Sequence, residues 1–152
     1  MNCILFGSRL LLISVFSLFS FHKASSQIAL GYHPFQSVLS VSSNTEKSFW
    51  LDYKLETNSF LSNLNMEFSP KYNVRMSERV NYYLGAGISI NPLNSASDLP
   101  VTNGYFFDCG ARIKPLKEDR NVQIIFELSP YVNREFSGGS LRTRLGIGYN
   151  FD

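Results

Sequence analysis

The chain has 152 residues, 44% of them hydrophobic and 17% charged, with a formal charge of +2 and two cysteines. That length suits one compact domain, and no linker or low-complexity stretch divides it. Arg9 and Lys23 precede Gln27, so the remainder holds twelve basic against twelve acidic residues, and no net charge is left to attract nucleic acid or an anionic surface.

Residues 1–26 read as a signal peptide. Arg9 closes a short basic start, Leu10 to Phe21 form an apolar run, and Ala24-Ser25-Ser26 supply the small residues a signal peptidase reads, with Gln27 as the expected mature N-terminus. The run is too short for a spanning helix, and no other stretch reaches the roughly 20 apolar residues such a helix needs. Cys3 lies before the run, so a lipid anchor at a cleavage-site cysteine is not expected. Cys109 is then the one remaining thiol, which excludes an intramolecular disulfide. Residues 27–152 are expected to form the single domain.

From Gln27 onward the chain alternates with a period of two. Gln27 to Ser43 fits one kinked strand, or two short ones turning near His33-Pro34-Phe35. Phe49, Leu51, Tyr53 and Leu55 then oppose Trp50, Asp52, Lys54 and Glu56. Beyond a turn at Thr57-Asn58-Ser59, Met66, Phe68, Pro70, Tyr72, Val74 and Met76 oppose Glu67, Ser69, Lys71, Asn73 and Arg75. A turn at Ser77-Glu78-Arg79 leads to Val80, Tyr82, Leu84, Ala86, Ile88 and Ile90, which face away from Asn81, Tyr83, Gly85, Gly87 and Ser89. Asn91 to Asn103 is the one long loop. Tyr105, Phe107, Cys109, Ala111 and Ile113 oppose Asp108, Gly110, Arg112 and Lys114, with Phe106 an apolar exception on the polar side. After Pro115 to Arg120, Val122, Ile124, Phe126, Leu128, Pro130 and Val132 oppose Gln123, Glu127, Ser129 and Asn133, with Ile125 and Tyr131 as exceptions. Beyond Glu135 to Gly139, Leu141, Thr143, Leu145, Ile147, Tyr149 and Phe151 oppose Arg142, Arg144, Gly146, Gly148 and Asn150. Several runs exceed the roughly 5–6 residues of soluble strands and match the roughly 9–11 of tilted transmembrane ones. Pro70 and Pro130 each remove a ladder donor, which predicts a bulge or bend at both.

Within the last run, Arg144 to Phe151 resembles the C-terminal assembly signal of Gram-negative outer-membrane barrel proteins. A polar residue is followed by a Gly two positions on and by aromatics at alternate final positions, although Asp152 follows where that family more often stops. The resemblance implies an all-β fold: a single antiparallel up-and-down β-barrel, transmembrane, with a periplasmic C-terminus. That orientation puts the long loop outside and the Ser77 to Arg79 turn inside, and an N-terminus on the same side requires an even number of strands, hence eight.

Alternation alone leaves open whether the apolar face meets lipid or forms the core of a soluble, lipocalin-like periplasmic or secreted barrel binding an apolar ligand. Three features favour lipid outside. The polar face is rich in small residues (Gly85, Gly87, Ser89, Gly110, Gly146, Gly148), as a narrow interior requires. Phe49, Tyr72, Tyr82, Tyr105, Tyr149 and Phe151 sit towards strand ends, where interfacial girdles form. The third feature is the terminal strand itself. The interior is then expected to hold Asp52, Glu56, Glu67, Asp108 and Glu127 alongside Lys54, Lys71, Arg75, Arg112, Lys114, Arg142 and Arg144, neutralising one another and blocking any pore. The basic surplus leaves room for an anionic ligand at one mouth.

Residues that carry chemistry are sparse. His33 and Cys109 are the only histidine and thiol beyond the leader, and no spacing around them forms a nucleophile motif. His33 with Ser37 or Ser40 is the one pair a lipid-modifying barrel enzyme could use, and a turn role before Pro34 is the simpler reading. Cys109 lies among Phe107 and Ala111 as a small hydrophobe. Asp52 and Glu56 flanking Lys54 read as an ion-pair ladder rather than a metal site, and the glycine pairs lack a dinucleotide fingerprint. The expectation is a non-enzymatic outer-membrane barrel with a structural or surface-interaction role and no catalytic, cofactor or metal residues. Its expected partners are outer-membrane lipid, the assembly machinery through the last strand, and an extracellular molecule through Asn91 to Asn103.

Overall fold

The computed structural model describes residues 27–57, 64–116 and 118–151. The segment read as a signal peptide and most of the Thr57-Asn58-Ser59 turn lie outside them. Eight strands form a closed antiparallel barrel in which each pairs with its sequence neighbours and the last closes on the first. They are β1 (Ile28–His33), β2 (Val38–Ser42), β3 (Phe49–Glu56), β4 (Met66–Met76), β5 (Val80–Ile90), β6 (Thr102–Ile113), β7 (Val122–Asn133) and β8 (Gly139–Phe151). Gln27 to Ser43 is thus two short strands, and the reversal spans 34–37, where Ser37 takes a left-handed φ of 52°. The strands run oblique to the barrel axis. A ring of partners that starts at Tyr32, near the end of β1, passes Ile147, Ile124 and Ile113 and arrives at Val80, the opposite end of β5.

Alternation translates into two faces with few errors. Leu30, Leu51, Phe68, Leu84, Ile88, Phe107, Phe126 and Leu145 project outward, while Asp52, Lys54, Glu67, Lys71, Asp108, Glu127 and Arg144 are buried in the lumen. An apolar interior, as a soluble ligand-binding barrel would need, is therefore not what the chain builds. Phe106 and Ile125, which broke the polar pattern, are buried inside with Trp50 and Tyr83. They belong there because glycines face them. Tyr83 is paired across the ladder with Gly110 and Phe106 with Gly87. A Cβ on Gly110 would lie 2.5 Å from the Tyr83 ring, and one on Gly87 would lie 2.5 Å from Phe106. Each ring lies over the space its opposite residue vacates, the device by which aromatics cover bare glycine in sheets.

A bulge at the prolines needs correction. Opposite Leu51, Pro70 keeps β3 in register, and towards β5 the ladder resumes from Phe68↔Ile88 to Lys71↔Gly85 in the same register. Pro130 behaves alike, paired with Leu141 while the β6 ladder passes from Cys109↔Leu128 to Phe106↔Tyr131. A missing donor interrupts one ladder, and the intact ladder on the other side holds the register, so neither proline makes a bulge. Register shifts occur instead between Asn73 and Arg75 and between Ser89 and Ile90. The first inserts a residue at Val74 and rephases the end of β4, which turns Arg75 out to solvent rather than into the lumen.

One end of the barrel carries the two strand termini, Ile28 and Phe151, and the 77–79 turn; the other carries the 91–101 connection. That connection contains a 3-10 helix, Pro92–Ser97, where the Asn91 side chain accepts from the Leu93 amide and left-handed Asp98 ends the turn.

Candidate functional site

The lumen is a graded stack of polar side chains. At its centre the Glu127 carboxylate takes four donors: Lys54 and Arg144 on Oε1 at 2.5 and 3.1 Å, Lys71 and the Tyr83 hydroxyl on Oε2 at 2.5 and 3.0 Å. Lys71 also reaches Asp52 at 2.7 Å and Asp108 at 3.1 Å, and Lys54 reaches Asp108 at 3.2 Å. Ion pairs this deep stand only because each charge meets several opposite ones at short range. Lys71 and Arg112 further lie against the Trp50 ring, at 5.2 and 4.7 Å from its centroid. Towards the long-loop end, Glu67 receives both Arg144, whose Nη2 is shared between the two carboxylate oxygens at 2.8 and 2.9 Å, and Arg142 at 2.6 Å.

The end that carries the termini is stoppered by a segment the sequence did not single out. Residues 43–48, between β2 and β3, fold across the opening, with Thr45 fully buried and donating to Asn150 at 3.0 Å. The Asn73 amide holds the backbone carbonyls of Thr45 and Lys47 at 2.9 and 2.6 Å. Glu46 is the latch: it pairs with Lys114 and accepts from Asn81 and Gln123 at 3.1 Å each. The sequence signal is slight, because the segment's partners lie far along the chain, on β4, β5, β7 and β8 and just beyond β6.

The opposite mouth opens into a polar recess of about 490 Å³. Glu56, Asn65, Asn94, Asn103, Tyr131 and Arg142 are among its walls. Asn103 donates to Asn65 at 2.9 Å, and Asn65 to Glu56 at 3.0 Å.

Candidate chemistry is not assembled. His33 is buried, yet neither ring nitrogen, nor the Ser40 hydroxyl, has a hydrogen-bond partner among the described residues, so His33 engages neither Ser37 nor Ser40. Its ring instead covers Gly146, whose added Cβ would meet it at 2.7 Å. Cys109 is exposed on the outer face. Asp52 is bound to lysines inside while Glu56 sits half-buried at the rim, and no group of three His, Cys, Asp or Glu suited to a metal exists among the described residues.

Outside, aromatics gather towards both ends. Phe49, Tyr72, Tyr82, Tyr149 and Phe151 lie towards the end with the termini, Tyr149 and Phe151 meeting edge to face at 4.9 Å. Tyr32 and Tyr105 lie towards the other, where Phe136, in a left-handed turn at φ 56°, stacks on Tyr105 at 5.6 Å.

The fold and lumen define a closed eight-stranded β-barrel, apolar outside and filled with charge inside. No family model matches this chain, and no curated protein matches it. Among solved structures it is similar to a protein from the de novo design of transmembrane beta-barrels, with a TM-score of 0.49 and 17% identity over 83% of this chain and 92% of the other.

Proposed function

We propose that this barrel spans a bacterial outer membrane after removal of residues 1–26, as a non-enzymatic structural or surface-interaction protein without an open pore. The observation that carries the reading is the orientation of the faces. Leu, Ile, Val, Phe and Met side chains project outward all round the barrel and remain substantially exposed, while the polar groups turn in. In water, an apolar surface of that extent would drive association; in a bilayer it is the lipid contact, and a closed barrel leaves no strand edge unpaired in hydrocarbon. The aromatics towards both ends suit the two interfaces. Arg144 to Phe151 then serves the assembly machinery as the entry signal, and the 91–101 connection faces outside as the surface for an extracellular partner.

The test is fractionation of the native host. The protein is expected to resist alkaline carbonate extraction from membranes and to migrate differently before and after boiling, as a folded barrel does. Release into the soluble fraction with no heat-dependent shift would end the proposal.

A further inference from the structure

We propose that the recess at the long-loop mouth binds an acidic sugar, with its carboxylate on Arg142 and its hydroxyls on the surrounding amides. This inference holds whether or not the membrane reading does, because the recess belongs to the barrel itself. Arg142 is a quarter exposed and lies against two rings, its guanidinium carbon 4.5 Å from the Tyr131 centroid and 5.5 Å from that of Phe106. Only Nη1 is engaged, on Glu67. Nε and Nη2 make no hydrogen bond among the described residues and are shielded from solvent. These two donors share one edge of the guanidinium, the edge whose parallel N–H groups match the two oxygens of a carboxylate. Desolvated and unmatched, they are costly in the free protein. A change in the Arg142 side-chain torsions brings that edge to the opening, at the expense of the Nη1 contact with Glu67, which Arg144 still holds.

The rest of the wall selects hydroxyls. Asn65, Asn94 and Asn103 come from three different stretches of chain and converge there, with Asn94 donating to Asn103 at 3.4 Å and to the Pro100 carbonyl at 3.0 Å. The Tyr131 hydroxyl is spent on the Asn103 carbonyl at 3.0 Å. Glu56, across the recess, excludes a multiply anionic ligand and is a natural acceptor for sugar hydroxyls. The volume lies within the range of small-molecule sites, and the amide-rich lining disfavours a fatty or aromatic ligand.

The experiment is isothermal titration calorimetry on the folded protein in non-ionic detergent at low salt, with glucuronate, its methyl ester and glucose as probes. Glucuronate is expected to bind saturably, with the ester and glucose at least about tenfold weaker, since each loses the charge-assisted pair. Arg142→Met should reduce glucuronate to the level of glucose; it is expected to fold because Arg144 alone still satisfies Glu67. No saturable heat with glucuronate, or equal binding of glucuronate and its ester, would overturn the proposal without reference to any variant. A heat-dependent gel shift alongside absent binding would overturn this inference and leave the membrane reading intact.

Discussion

Changing Glu127 to Gln probes whether the lumen behaves as a packed electrostatic core. Gln keeps the shape but removes the charge and turns one acceptor oxygen into a donor. On the Oε1 side it would confront Lys54 and Arg144, or on the Oε2 side Lys71 and Tyr83. Breaking a buried ion pair by neutralising one partner costs about 3–5 kcal/mol. Lys54 and Lys71 keep Asp108 and Asp52, and Arg144 keeps Glu67, so the loss should fall near the lower limit, about 3 kcal/mol. Reversible urea unfolding in detergent micelles measures it. The chain has a single tryptophan, Trp50, buried against Tyr83 and Lys71, and its fluorescence reports the lumen directly. Adding Lys71→Met to the Gln variant removes a cation left in excess, so the double change should cost less than the sum of the singles by at least about 0.5 kcal/mol. A Gln variant within about 1 kcal/mol of wild type, with additive double-mutant energies, would refute a dry, mutually neutralised core: charges that water already solvates show neither penalty nor coupling.

Leu84→Arg places a charge in the middle of β5 on the outer face; in the membrane reading it should cost about 2–4 kcal/mol and impair insertion, and unchanged insertion and stability would contradict a lipid contact there. Gly110→Ala should destabilise by about 1–3 kcal/mol, because the new Cβ meets the Tyr83 ring at 2.5 Å and the Phe126 carbonyl at 2.7 Å. Gly148→Ala should be nearly neutral, since its nearest neighbour is the flexible tip of Ile125 at 3.0 Å; equal costs in urea unfolding would show that close packing does not set the glycine positions. Reconstituted in planar lipid bilayers, the protein should show no stepwise conductance, because the central ion pairs and the 43–48 stopper fill the bore; discrete open steps would refute that.

Period-two alternation made the sheet and its two faces legible, because a strand sends successive side chains to opposite sides whatever its neighbours do. Strand number followed from parity and turn placement, and Gln27 to Ser43 resolved as two strands. The charged residues expected inside are there, apart from Arg75 and, at the rim, Glu56 and Arg142. Other features lay beyond reading from alternation alone. Phe106 and Ile125 looked like errors because their justification, a bare glycine opposite or a gap in the lumen, sits on another strand. The rephasing at Val74 depends on how two strands pair rather than on either one alone. Direction of curvature was legible only through a second signal: alternation is identical in a barrel and in its inside-out counterpart, and it was the small residues of the polar face that pointed to the lumen, as the closed barrel bears out. The latch of Glu46 on Lys114, and the Asn and Arg142 recess, likewise join residues tens of positions apart, so only the closed barrel brings them together.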